Sequence, residues 1–327
     1  MTGQPFYHLR PNKFIDRQMF LKTLLTLGKV LDFKDYCYIG FGSYLFDDFK
    51  LVHNKLGVKE MISLESDPNI AKRAEFNKPL KCIDIKTTNS SDFLAEFSRV
   101  HNNYIVWLDF TSPSNIREQF SDFSTILNVL EDGDIVRITL NANSSSLGFK
   151  DLGHPEIQEK RLEELRNRLE GFLPNDIDVD EVSTRTYPLL LLKSLKKTSY
   201  SIIAETKYDH RFIFPLLSTI YQDGQKMLTL TLIILEDHEK ETEIIELLTS
   251  EMNKPLNETY YWGNPEQISI PPLTTKEILE INSLLPTSNP EESIWDEFQY
   301  IFDNKKENFQ NYIEYYQIYP HFNEVSF

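Results

Sequence analysis

Two glycines and one glutamate have the residue types and the spacing of a nucleotide-binding site. Gly40 and Gly42 follow a short apolar run at residues 36–39, and Glu65 closes the next apolar run. Glycines let the backbone turn tightly and approach a ligand, and an acid at the end of the following strand can accept both hydroxyls of a ribose. The pattern predicts a site for an adenosine-type ligand. Two turn glycines with a surface glutamate are the alternative.

A further acidic residue, Asp109, ends the apolar run at residues 104–108. If that run is a parallel strand, Asp109 lies at the carboxyl edge of the sheet, where ligands of open α/β sheets bind. There it is a candidate general base or substrate-orienting group; the alternative is a cap or turn carboxylate for a helix that begins near Ser114. Asn141 and Asn143 follow the next run, either as substrate contacts or as ordinary loop amides.

Four polar residues cluster around the start of the first predicted helix: Arg10, Asn12, Lys13 and Arg17. They could clamp a carboxylate or an anionic substrate, with a solvated helix start as the alternative. The seven histidines lie far apart, and no two have the i, i+3 or i, i+4 spacing of a helical zinc site. The sequence therefore predicts no metal site.

The candidate residues need a sheet that brings strand ends together, and the hydrophobic pattern predicts one. Five short apolar runs alternate with helical patterns: residues 36–39, 61–65, 81–85, 104–108 and 135–140. Because the runs are nearly all apolar, they fit strands of a parallel sheet that is covered on both faces. Two longer runs on either side of Gly224 predict an antiparallel hairpin late in the chain. We therefore expect a doubly wound α/β fold.

The formal net charge of −16 is concentrated in one part of the chain. Residues 236–327 hold 19 Asp and Glu against 5 Lys and Arg, so the remainder is nearly neutral. We expect a body at 1–235, with a helical insertion at about 145–205, and an acidic, aromatic-rich, mostly helical region at 236–327. The acidic region argues against nucleic acid there and favours a protein partner, whereas the body leaves an anionic or nucleic-acid substrate open.

Composition narrows the class of protein further. No stretch of 18 apolar residues exists, which predicts no membrane span, and no signal-peptide pattern opens the sequence. Cys37 and Cys82 both lie in apolar runs and are predicted to be buried free thiols in a reducing cytoplasm. The dense aromatic cluster at 300–322 favours core packing over an exposed partner surface.

The order of these elements resembles the class I S-adenosylmethionine-dependent methyltransferases over about residues 30–235. The resemblance rests on residues 38–42 as the glycine motif, 62–65 as the ribose strand, 91–94 as the adenine segment, 107–110 as the fourth-strand motif beside the methyl group, and 130–136 as the turn into the fifth strand. These motifs most resemble those of bacterial O-methyltransferases.

This resemblance implies a Rossmann-like, mostly parallel seven-stranded sheet and S-adenosylmethionine as the cofactor. The cofactor-binding residues that it implies are Gly40, Phe41, Gly42, Glu65, Ser91, Asp92 and Asp109. Because methyl transfer is an in-line displacement, Asp109 is the candidate catalytic base or the group that orients the acceptor. The acceptor itself stays open, and we expect a cytoplasmic, bacterial enzyme.

Two tyrosines depart from the family pattern and keep other hypotheses open. Tyr38 stands where most members carry an acid, and Tyr44 replaces the third glycine, which would crowd or depolarise the methionine side of the pocket. They motivate a non-catalytic, methyltransferase-like subunit of a bacterial multiprotein complex, such as a defence complex. A nicotinamide-dependent oxidoreductase is a weaker alternative, because Leu45 replaces the third glycine of the dinucleotide fingerprint.

Overall fold

The computed structural model describes residues 10–149, 151, 153, 156–205, 211–252 and 262–320. Four of the seven histidines considered above lie outside this part of the chain, namely His8, His154, His210 and His321. Among the described residues, no helix is both long and apolar enough to cross a membrane.

Strands and helices alternate through the first two thirds of the chain, as the apolar pattern predicts. The strands are β1 Tyr36–Gly40, β2 Glu60–Leu64, β3 Ile83–Lys86, β4 Asn103–Asp109, β5 Ile135–Asn141, β6 Phe212–Asp223, β7 Gln225–Leu235 and β8 Glu266–Ile268. The helices are α1 Pro11–Leu27, α2 Asp47–Leu56, α3 Pro68–Asn77, α4 Ser90–Ala95, α5 Ile116–Val129, α6 Glu156–Arg168, α7 Tyr187–Glu205, α8 His238–Met252, α9 Thr275–Ser283 and α10 Lys306–Tyr315.

The strands form one sheet in the order β3-β2-β1-β4-β5-β7-β6-β8. Neighbouring strands are parallel from β3 to β5, and β7 is antiparallel to β5. This order confirms the Rossmann-like fold with its late antiparallel hairpin. The predicted strand number of seven is one too low, because β8 has only three residues, too few for an apolar pattern to identify.

Local capping chemistry sets the ends of the helices around β2. Gly57 ends α2 in the left-handed conformation, with φ of 75°, and its N–H donates to the His53 carbonyl. Asp67 caps α3 by accepting the N–H groups of Asn69 and Ile70, and Pro68 occupies the first turn. These caps fix the lengths of the two loops that flank β2.

The two faces of the sheet carry different residues because side chains alternate along each strand. Cys37, Ile39, Tyr104, Val106 and Leu108 belong to a hydrophobic core, together with residues of α5, α6 and α7. Their neighbours along the strands lie on the opposite face, and we call this second face the polar face because it carries Ser63, Trp107, Arg137 and Thr139.

The chain divides into two compact units. One contains residues 20–220 and 225–266, and therefore most of the sheet. The other contains residues 1–19, 221–224 and 267–327. The first helix begins in the unit that holds the C-terminal residues, and α8 belongs to the unit that holds the sheet. The domain boundary expected at residue 235 stays a prediction.

The C-terminal aromatic residues form the interior of the smaller unit. Phe302, Phe309, Tyr312 and Tyr315 are buried, and the Tyr312 hydroxyl donates to Asn282 Oδ1 at 2.7 Å. Tyr319 donates to the Pro271 carbonyl at 2.6 Å. The predicted core role is therefore confirmed for these residues, whereas Tyr300 is 66% exposed.

Candidate functional site

The glycine motif and the ribose-type acid meet on the polar face at the carboxyl edge of the sheet. Gly40 pairs with Ser63 in the parallel register of β1 and β2. Glu65 stands two residues beyond Ser63, and therefore on the same face, where its N–H donates to the Lys86 carbonyl at 3.0 Å. The sheet register thus places Glu65 beside the glycine turn, as the sequence predicts.

The glycine turn has no room for a side chain at Gly42. A Cβ atom at Gly42 would lie 2.6 Å from both the Phe46 ring and Ser63 Oγ. The Gly42 N–H donates to Ser63 Oγ at 3.1 Å, which ties the turn to β2. Phe46 itself takes the left-handed conformation, with φ of 55°, immediately before α2. The result is a fixed stretch of bare backbone beside Glu65.

Glu65 is held in place by the cap of α3. Its Oε1 accepts the Asp67 N–H at 3.0 Å, and its side chain is half-buried. Since Asp67 in turn caps α3, the helix and the carboxylate are positioned by the same short loop. A carboxylate oriented in this way suits hydrogen bonds from vicinal hydroxyls.

Asp109 ends β4 at the same edge and on the same face. It pairs with Thr139 of β5, and the next residue, Phe110, packs against Phe41 with ring centroids 5.6 Å apart. Asn115 occupies the N-cap position of α5 without a side-chain cap hydrogen bond, and the roles of Asp109 as a base or as a turn carboxylate stay predictions. Gly40, Phe41, Gly42, Glu65 and Asp109 are therefore gathered along one edge.

The two predicted adenine-segment residues have partners within α4 and α5. Ser91 Oγ donates to Asp122 Oδ1 at 2.7 Å. Burial raises the pKa of Asp122, and the hydrogen bonds from Ser90 and Ser91 offset part of that rise. The Asp92 carboxylate accepts the Asn89 side-chain amide at 2.7 Å and is exposed. Their cofactor role stays a prediction.

The asparagines that follow β5 differ in what they do. Asn143 is a loop amide: it accepts the Ser145 N–H at 3.1 Å and donates to Gln225 at 3.0 Å. Asn141 is buried at the strand end, and its amide donates to the Thr111 carbonyl at 3.4 Å, in the loop after Asp109. Of the two, Asn141 is the one that lies beside the candidate site.

The family described as "Putative O-methyltransferase" matches residues 5–327. The chain belongs to this family. The match agrees with the predicted resemblance to O-methyltransferases. No curated protein matches the chain.

Solved methyltransferases match the chain at low identity. Trm1 from Pyrococcus horikoshii, in complex with S-adenosyl-L-methionine, is 15% identical with a TM-score of 0.43, over 72% of this chain and 58% of that chain. This chain therefore spans less than two thirds of that protein. The O-methyltransferase from Bacillus cereus, in complex with SAH, is 11% identical with a TM-score of 0.35, over 71% and 93%. TomG from Streptomyces achromogenes, in complex with SAM, is 12% identical with a TM-score of 0.35, over 71% and 92%.

Within this methyltransferase-family chain, the tyrosines that depart from the common motif pack against their neighbours. Tyr38 is buried, stacks edge-on against Phe49 at 4.9 Å, and places its hydroxyl 3.0 Å from where a Gly40 Cβ would lie. Tyr44 lies under the Arg73 guanidinium of α3, whose carbon is 3.7 Å from the ring centroid. The Tyr44 ring therefore packs against α3.

The sequence analysis did not identify a buried arginine on the polar face, Arg137. Arg137 lies in the middle of β5 with no exposed surface, and it donates to the hydroxyls of Thr231 at 2.7 Å and Thr229 at 3.1 Å. Its guanidinium carbon lies 4.8 Å from the Trp107 ring centroid, and the Trp107 indole donates to Thr139 at 3.0 Å. One charged residue inside an apolar strand was the signal that could have found it.

Three of the four residues clustered at the start of α1 are buried, whereas Arg10 is partly exposed. Asn12, Lys13 and Arg17 are all less than 10% exposed, so the alternative of a solvated helix start is wrong for these three residues. The Asn12 amide donates to the Asp223 carboxylate at 3.0 Å, its oxygen accepts the Ile270 N–H at 2.9 Å, and the Lys13 N–H donates to Asp223 at 2.7 Å. Asn12 therefore links three segments of the smaller unit. The clamp role of this cluster stays a prediction.

No group of three or more His, Cys, Asp or Glu side chains with the arrangement of a metal site occurs in the described ranges.

Proposed function

We propose that this chain transfers the methyl group of S-adenosylmethionine to an oxygen acceptor held beside Asp109. The observation that carries the proposal is the convergence of the glycine turn, Glu65 and Asp109 along the carboxyl edge of one face of the parallel sheet. The family match supports methyl transfer as the reaction, and its description supports oxygen as the acceptor atom.

The donors and acceptors at this edge fit the adenosine part of the cofactor. Glu65 would accept the two ribose hydroxyls, since its carboxylate is already oriented by the Asp67 N–H. The bare backbone at Gly40 and Gly42 would let the nucleoside approach the sheet, because no side chain can stand at Gly42. Phe41 and Phe110 would exclude water from one side of this edge.

S-adenosylmethionine supplies an electrophilic methyl group on a sulfonium sulfur. Asp109 would accept the proton of an acceptor hydroxyl as the oxygen becomes the nucleophile, and it would fix the direction of that oxygen. A positioned base contributes roughly 10²–10⁴-fold to such a step. Asn141 stands next to the loop that follows Asp109 and would add a hydrogen-bond donor to the acceptor pocket.

Isothermal titration calorimetry with S-adenosylhomocysteine tests the cofactor assignment without knowledge of the acceptor. We expect binding by the full chain and a loss of about 10- to 100-fold in affinity for Glu65→Ala, which corresponds to about 1.5–3 kcal/mol for lost hydrogen bonds to a charged group. Glu60→Ala is the matched control, because Glu60 is the acid at the opposite end of the same strand.

The outcomes separate the hypotheses. Folded protein that gives no heat with S-adenosylhomocysteine would support the non-catalytic subunit, and heat with NADH instead would support the oxidoreductase. Equal affinities for Glu65→Ala and Glu60→Ala would contradict the ribose assignment. Once an acceptor is found, an unchanged transfer rate in Asp109→Asn would show that Asp109 is not the base.

A further inference from the structure

A groove of about 910 Å³ lies on the core face of the sheet, on the side away from Glu65. Its floor contains Cys37 and Ile62 from β1 and β2, and Phe93, Phe97 and Tyr104 line it as well. Thr88 and Asp92 stand at one end, beyond the carboxyl end of β3, and His101 lines it near the start of β4. All of these residues belong to the larger unit.

The groove exists because a covering helix is short. Parallel sheets of this kind are buried by helices on both faces. The helix between β3 and β4 is α4, which has only six residues and is therefore about 9 Å long. The chain from residue 96 to residue 102 returns to β4 without helical structure, and Ile62 is left only half-buried.

The wall of the groove is rigidly built. The Tyr104 hydroxyl accepts the N–H groups of Val100 and His101 at 2.8 and 2.9 Å, which fixes the non-helical segment. Phe97 packs edge-on against Tyr104 at 5.3 Å and also contacts Phe93 at 5.7 Å. Val100 is nonetheless 77% exposed. The wall therefore presents an apolar side chain to the solvent.

The rim of the groove is acidic. Glu60, Asp92 and Glu96 line the groove and are exposed, and among the described residues none of these three carboxylates forms an ion pair. Asp84 and Lys86 also line the groove, and they pair with each other at 2.7 Å, so the three other carboxylates leave the lining with a negative excess. An apolar floor with a negative rim selects a partner that carries apolar residues flanked by positive charge.

We propose that this groove binds an amphipathic α-helix of a protein partner, whose apolar stripe covers Ile62, Phe93 and Phe97 and whose flanking Lys and Arg residues meet the acidic rim of Glu60, Asp92 and Glu96. The bound helix covers the part of the core face of the sheet that the short α4 leaves uncovered. A cylinder of helix about 10 Å across fills the groove volume over about 12 Å, or about eight residues. The proposal does not depend on cofactor binding.

Fluorescence anisotropy with synthetic helical peptides tests the proposal. The probe is a labelled 14-residue peptide with Leu at i, i+3, i+4 and i+7 and Lys at the flanking positions; the same peptide with Glu for Lys, and a scrambled Leu/Lys peptide, are the comparisons. We expect the Leu/Lys helix to bind the full chain at least about tenfold more tightly than either comparison peptide, because only it matches both the floor and the rim.

Matched substitutions locate the binding. Glu96→Lys on the rim is expected to weaken the Leu/Lys helix at least about fivefold, whereas Glu75→Lys on α3 makes the same charge change away from the groove. Val100→Ser is expected to weaken binding, and Phe76→Ser is its control, because Phe76 is a 90% exposed apolar residue on α3. All four changes are at exposed residues, so folding is retained.

Cys82 provides a footprint of the same site. It lines the groove and is partly exposed, whereas Cys37 is buried and burial, with the nearby Glu60 charge, raises its pKa to about 12. We expect the Leu/Lys helix to slow the reaction of Cys82 with a disulfide reagent at least about fivefold.

Three results would overturn the proposal. One is binding that is equal for the Leu/Lys, Leu/Glu and scrambled peptides, or absent for all of them. Another is an equal effect of the groove and α3 substitutions, which would indicate attraction by the net charge alone. The third is protection of Cys82 that rises with protein concentration in the absence of peptide, which would make a second copy of the chain the occupant.

Discussion

At the scale of single residues, both the candidate site and the packing around it require that residue 42 has no side chain. An added Cβ would lie 2.6 Å from the Phe46 ring and from Ser63 Oγ, and Ser63 also receives the Gly42 N–H. We expect Gly42→Ala to lower the free energy of unfolding by about 1–3 kcal/mol, because it overpacks the turn. Urea denaturation followed by circular dichroism measures this change.

Gly153→Ala is the control for that substitution. Among the described residues, none lies within 4 Å of a Cβ placed at Gly153, and the Gly153 backbone is not left-handed. We expect its free energy of unfolding to stay within about 0.5 kcal/mol of the wild type. If both substitutions have the same effect, the close approach of β1 and β2 at Gly42 is not what requires a glycine.

At the scale of elements, the C-terminus of α5 depends on one buried arginine. Arg211 is only 6% exposed and donates through its guanidinium to the carbonyls of Leu127 and Leu130. These carbonyls are at the C-terminal end of the helix that packs beneath β4 and β5. A positive charge at that end also interacts favourably with the helix dipole. We expect Arg211→Met to cost about 2–4 kcal/mol, because buried carbonyls lose their donor.

Arg117→Met on the same helix is the matched comparison for Arg211→Met. Arg117 lies in the first turn of α5, is exposed, and reaches Glu170 only at 3.8 Å. We expect a change below about 0.5 kcal/mol in the same urea titration, as for other exposed ion pairs. A large loss for Arg117→Met would mean that charge rather than capping stabilises α5.

At the scale of the whole molecule, buried protonated groups make stability sensitive to alkaline pH. Burial raises the pKa of Cys37 to about 12, and it also raises the pKa values of Tyr36 and Tyr187. The unfolded chain releases these protons near the ordinary values of 9.0 and 10.0. The free energy of unfolding is therefore fully retained below about pH 9 and falls as the pH rises toward 12.

Urea unfolding at several pH values between about 7 and about 10.5 measures this dependence. We expect Cys37→Ala to flatten the decline above about pH 9, whatever its effect at neutral pH, because one raised pKa is removed. The overall negative charge also repels itself at high pH, but it does so equally in both proteins. Parallel curves for the two proteins would contradict the assigned role of Cys37.

The charge distribution is a second property of the whole chain. The acidic excess at 236–327 predicts a basic protein partner for that region, and this stays a prediction. The groove on the sheet is a separate acidic feature, which sequence counting could not find because Glu60 is distant in the chain from Asp92 and Glu96.

The sequence predicted the parts of the fold that depend on local signals. Apolar runs predicted the first five strands, and the structure confirms them. The hairpin at 222–225 followed from its turn chemistry. The three residues of β8 could not be predicted, because so short a strand is decided by the sheet edge that it joins.

For the candidate site, the sequence by itself determined the glycine turn and the two edge carboxylates, Glu65 and Asp109. Residue type and position at a strand end are local properties, and a parallel sheet always collects such ends at one edge. Only the tertiary structure decided that Ser63 holds the Gly42 N–H, that Tyr44 packs under Arg73, and that a groove opens over Ile62. These depend on which side chains meet across the sheet, and such contacts leave no periodicity in the chain.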